Sequence, residues 1–139
     1  MKSKIKNWEL VQLISKGRWS NIYSARPITG GSDSADYVMK IVETRKSDRE
    51  MAIEMLRREY ACSELIVHPG IISFLDHSFP QADSMEANPF LVSARIHGDS
   101  LLTINQGLRQ VIDLNEKLMF FRQVGEALRE LHRNHIRHG

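Results

Sequence analysis

Three features of the sequence predict an α+β fold. Segments rich in β-favouring residues fall in two groups before residue 96, and one helical segment separates them. From Gly98 onward only helical patterns occur. The order is therefore three strands, a helix, two strands and then helices. With short turns between strands, it predicts a five-stranded antiparallel sheet with one main helix, followed by a helical region.

Each element has its own local reason. Trp8 to Ile14 and Asn21 to Arg26 are apolar and β-favouring, and they flank the turn from Ser15 to Ser20. A loop from Pro27 to Asp36 follows, marked by Pro27, Gly30 and Gly31. Tyr37 to Glu43 reads as a strand that is apolar on both faces. Ser47 and Glu50 form a capping box at the start of a helix that runs to about Val67 and stops at His68-Pro69-Gly70. Ile71 to Phe79 and Asn88 to Arg95 read as two more strands, joined by a polar loop from Pro80 to Ala87. A short helix is expected from Ser100 to Leu108. A long one is expected from Asn115 to Arg133, with Leu118, Phe121, Val124, Leu128 and Leu131 on one side.

Composition sets limits on function. The 139 residues suffice for one modest domain or part of a larger one. A net charge of +2 implies no strong pull toward nucleic acid or an anionic membrane. Cys62 is the only cysteine, which excludes an intrachain disulfide and suits a reducing cytoplasm. No stretch reaches the roughly 20 apolar residues of a membrane span, and the amino terminus does not read as a signal peptide. His132, His135 and His138 are spaced by threes, but no nearby cysteine or carboxylate completes a metal set.

Two charges stand in apolar settings. Lys40 shares a strand face with Val38 and Val42. Glu59 falls in line with Met55, Cys62 and Ile66 on the expected helix. An unpaired charge in a desolvated setting costs several kcal/mol, so the two are expected to pair with each other.

A strand lysine held by a helix glutamate resembles the protein kinase family, and the resemblance extends from Trp8 to Gly139. The family's G-x-G-x-x-G-x-V loop lies over Ser15 to Ile22, where only Gly17 keeps the glycine and Ser15 and Ser20 replace the other two. Tyr37-Val38-Met39-Lys40 resembles the V-A-I-K strand, and His68-Pro69-Gly70-Ile71 the turn after the glutamate-bearing helix. Phe90 to Gly98 resembles the fifth strand and hinge, and Ile136-Arg137-His138 the approach to H-R-D, with Gly139 at the arginine position.

The resemblance implies a kinase domain over residues 8–139: an N-lobe at 8–92, a hinge at 93–99 and the start of an α-helical C-lobe at 100–139. It implies ATP as ligand, with Lys40 contacting the α- and β-phosphates and Glu59 holding Lys40. Ile14, Ile22 and Val38 would sandwich the adenine, and Ser15, Gly17 and Ser20 would cover the phosphates. The Ala94 carbonyl and the Ile96 N–H would bond the adenine edge, and Ser93 would be a small gatekeeper before an open rear pocket. The implied reaction is transfer of the ATP γ-phosphate to Ser or Thr hydroxyls of a protein substrate; the motifs that separate this from tyrosine specificity lie downstream. The catalytic aspartate, its asparagine and the D-F-G aspartate on Mg2+ would also follow Gly139, so these residues alone are expected to transfer no phosphate. A non-catalytic, pseudokinase-like binding module is the alternative. The apolar stripe of the long helix is expected to promote self-association.

Overall fold

Alternation along Tyr37 to Val42 assigns the two faces of the sheet. The computed structural model describes residues 4–29, 34–43, 46–79, 88–98 and 113–137. The chain forms two compact units, one of Met1–Glu64 with Ser73–Arg95, the other of Leu65–Ile72 with Ile96–Gly139.

In the first unit, six strands form one antiparallel sheet: β1 (Lys4–Ile5), β2 (Trp8–Lys16), β3 (Ser20–Pro27), β4 (Tyr37–Val42), β5 (Phe74–Ser78) and β6 (Phe90–Ala94). Their order across the sheet is β1-β2-β3-β4-β6-β5. Met39 and Ile41 of β4 face the same side as Val92 and Phe90 of β6, with which they pair. Together with Trp8, Leu10 and Ala25 they build one buried cluster. The opposite face carries Val42 and Leu91, which pack against Ala52 and Leu56 of α1 (Lys46–Leu65). Successive side chains of a strand alternate between faces, so this one strand feeds both cores.

The sheet is rolled into a half-barrel. Trp8 Nε1–H donates to Asp76 Oδ2 at 2.7 Å, although β3, β4 and β6 lie between their strands. A register shift makes this contact possible. Phe74 pairs with Ser93 and Asp76 with Val92, leaving Leu75 as an extra residue. That bulge turns Phe74 toward α1 and Asp76 toward the barrel interior. Trp8 also meets the Tyr37 ring edge-on, at 5.0 Å between centroids.

The expected five-stranded sheet is corrected to six strands. The added β1 is two residues long, too short to show an alternation, and it reaches β2 through a tight turn with Lys6 at φ 49°. The expected all-helical lobe is corrected as well. Among the described residues of the second unit there is one helix, α2 (Leu114–Arg133), and none of its residues is buried. Periodicity identifies an amphipathic helix, but it does not supply the surfaces that would cover one. The expected helix over Ser100 to Leu108 lies outside the described residues.

Helix boundaries moved by small amounts. α1 already includes Lys46, so Ser47 lies inside its first turn instead of capping it. The capping box belongs to α2: Asp113 accepts from the Glu116 N–H at 2.8 Å, and Glu116 accepts from the Asp113 N–H at 2.9 Å. At its other end, Ile136 N–H reaches the Leu131 carbonyl and His135 N–H the His132 carbonyl, with His135 at φ 57°. This is a Schellman stop with histidine in the position that glycine usually takes.

Candidate functional site

The strand lysine and the helix glutamate do meet. Lys40 Nζ and Glu59 Oε2 are 2.5 Å apart, joining β4 to α1 across 19 residues of sequence. Lys40 lies on the α1 side of the sheet because Val42, two residues along, packs there. Glu59 reaches it from one turn beyond Leu56, which anchors the helix on the same face.

The setting differs from the expected one. The side chains of Lys40 and Glu59 are 32% and 42% exposed, so neither charge is desolvated. The buried stripe of α1 runs through Ala52, Ile53, Leu56 and Ser63, whereas Met55 is half-exposed. Both stripes have helical spacing, and the sheet selected the one beside Glu59. The pair is therefore reachable from solvent while being held by secondary structure on both sides.

Tyr60, the next residue, fixes the flank of the site. Its ring lies 4.1 Å from that of His77 on β5 and 5.7 Å from that of Phe79. Burial first, then the negative charge of Glu64, raises its phenol above the ordinary value of 10.0. Sequence reading missed this aromatic brace. Its signal was Tyr60 itself, four residues after Leu56 on the buried stripe.

The β2–β3 hairpin lies beside the pair in the sheet. Ile22 is directly opposite Lys40, and Ser15 is opposite Ile22. At the tip, Gly17 N–H donates to the Ser20 carbonyl at 2.8 Å. A Cβ on Gly17 would sit 2.8 Å from that same oxygen, so the close approach requires glycine. Ser20 pairs with Val42 in the ladder. Trp19, next to Ser20 in the turn, packs its side chain on the cluster of Val42, Ala52, Leu56 and Leu91.

The remaining sequence-selected residues are spread more widely. Val38 pairs with both Ser24 and Ser93, and it shares the face of Lys40. Ser93 is buried, and Phe74 stands directly opposite it. The space beside the small serine thus has an aromatic neighbour packed on the α1-side core. Ile14 lies where the β2 register slips between Leu13 and Ser15, and it is 49% exposed. Ala94 pairs with Tyr37 at the end of β6. Ile96 belongs to the second unit and is 73% exposed. Ile22, Val38, Lys40 and Ser93 therefore line one face of three adjacent strands, and Glu59 meets that face from α1.

In the second unit, His132, His135, Ile136 and Arg137 line an open hollow at the end of α2. Among the described residues no group of three His, Cys, Asp or Glu side chains is placed to hold a metal ion. His138 and Gly139 lie outside the described residues. No helix among the described residues is long and apolar enough to cross a membrane.

No protein-family model matches the chain, and no curated protein matches it in sequence.

Proposed function

We propose that these residues are the ATP-binding part of a protein kinase, one that transfers the γ-phosphate of ATP to Ser or Thr hydroxyls of a protein substrate. The observation that carries this reading is the Lys40–Glu59 pair, a strand cation held by a helix anion and open to a ligand. Lys40 would orient the α- and β-phosphates, and Glu59 would keep its ammonium aimed at them. Ile22 and Val38 supply apolar contact for the base on the same sheet face. Mg2+ would arrive with the nucleotide, and no ligand set for it is assigned in these residues. The 139 residues alone would bind without transferring phosphate, in a cytoplasmic setting that suits the lone Cys62.

A binding role without phosphate transfer is the second reading, and one observation favours it. The Gly17 N–H is already engaged by the Ser20 carbonyl, and Ser15 and Ser20 sit in ordinary ladder pairs. The hairpin thus presents less free backbone N–H to a phosphate than a glycine-rich cradle does.

Equilibrium dialysis of the purified chain with ATP and Mg2+ tests the proposal. Saturable binding is expected, weakened tenfold or more in both Lys40→Met and Glu59→Gln. Absence of saturable binding, or equal binding by Lys40→Met, sinks the nucleotide site. Phosphorylation of a generic protein by the wild-type chain but not by Lys40→Met sinks the inactivity of these residues alone. Stability should hardly change in either variant, because exposed pairs contribute about 0–1 kcal/mol.

A further inference from the structure

We propose that Trp19 is a positioning residue that couples the β2–β3 hairpin tip to α1, and through α1 to the Lys40–Glu59 pair. The ligand arm of this inference rests on the nucleotide reading; the coupling itself does not.

On its β2 side the hairpin is loosely held. β2 slips register twice on its way there, between Leu10 and Gln12 and between Leu13 and Ser15. Val11, Leu13 and Ile14 are all substantially exposed, so the outer stem of the hairpin packs little. Ser20 pairs with Val42 and Asn21 donates to Glu43 at 2.6 Å, which ties the tip to β4, and Trp19 adds the anchor on the α1 side. Its side chain packs against the cluster that Val42 and Leu91 of the sheet form with Ala52 and Leu56 of α1. Its carbonyl accepts the Glu43 N–H at 3.2 Å, at the point where β4 leaves for α1. Arg18 covers the outer side of the ring, 5.0 Å from its centroid.

The same indole therefore joins the hairpin tip to a cluster that α1 shares with the sheet. Leu56, a member of that cluster, lies one turn before Glu59. The indole Nε1–H is buried and meets no hydrogen-bond partner among the described residues. Lifting the tip would withdraw the indole from α1 and loosen the turn that carries Glu59. Undocking α1 would free the tip in the same way.

Amide hydrogen exchange on the full chain tests this without any ligand. In Trp19→Ala, exchange at Gly17 and Glu43 should rise tenfold or more together with that of Leu56 to Tyr60. Met39, Ile41 and Val92 should keep their protection, and Trp19→Phe should restore most of the effect. A rise at the tip with α1 unchanged overturns the coupling, and so does an equal rise at every amide. If Trp19→Ala does not fold, Trp19→Phe and Trp19→Leu carry the comparison, and a graded joint rise at the tip and α1 is then required. With ATP and Mg2+, exchange should slow at both places in the wild type but only at the tip in Trp19→Ala. Failure to bind nucleotide in a parallel dialysis overturns the nucleotide site, while ligand-free exchange still decides the coupling.

Discussion

At Lys40 and Glu59, solvent exposure separates what the pair does for folding from what it can do for a ligand. A pair this open adds little stability, yet it keeps an ammonium in a fixed place. The two residues were legible in the sequence because a lysine in an apolar strand and a glutamate in a helix stripe both stand out. Their solvation was not legible, since α1 carries apolar residues on more than one side and the sheet chose among them. Tyr23 shows a different residue-level effect. Burial first, and the charge of nearby Glu43 second, raise its phenol above 10.0, with the Asn21 hydrogen bond opposing. The folded state thus holds the proton more tightly than the unfolded chain. Its contribution is complete below the ordinary phenol range and is lost as pH rises through the raised folded value. Urea denaturation between about pH 9 and pH 11 should show stability falling in the wild type and falling less in Tyr23→Phe. Equal slopes would show that Tyr23 is not responsible.

Among the elements, β4 and β6 were the easiest to anticipate, because each is a short apolar run buried on both faces. β5 was harder. It was expected from Ile71 but starts at Phe74, after a turn in which Ile71 N–H bonds the His68 carbonyl and Gly70 N–H bonds His68 Nδ1. Its bulge at Leu75 carries no sequence mark, yet it decides that Asp76 faces Trp8. The resulting bond has a charged acceptor in a partly buried place, so Asp76→Ala should cost about 1–3 kcal/mol in chemical denaturation. A double-mutant cycle with Trp8→Phe should assign most of that loss to the contact. Additive losses would place the effect of Asp76 elsewhere.

For the whole molecule, the feature of widest consequence lies in α2, whose apolar stripe was expected to promote self-association. Its stripe was read correctly as amphipathic, but Leu114, Leu118 and Phe121 remain exposed. Exposed apolar area of this kind favours association. Sedimentation velocity should show a mass that grows with concentration for the wild type and a monomer for the Leu118→Lys, Phe121→Lys double variant. A wild-type monomer at all concentrations would contradict this. The strand order has a consequence for the timing of synthesis. β6 is the last of the six described strands to be synthesised, yet it lies between β4 and β5. Until residue 94 emerges, β4 keeps a bare edge and β5 has no strand to join. Asp76, 68 residues from Trp8, cannot be placed against it by the sheet until β6 joins β5 to β4. The β5–β6 pair therefore adds at the edge of β4, and that strand edge stays open until β6 is available.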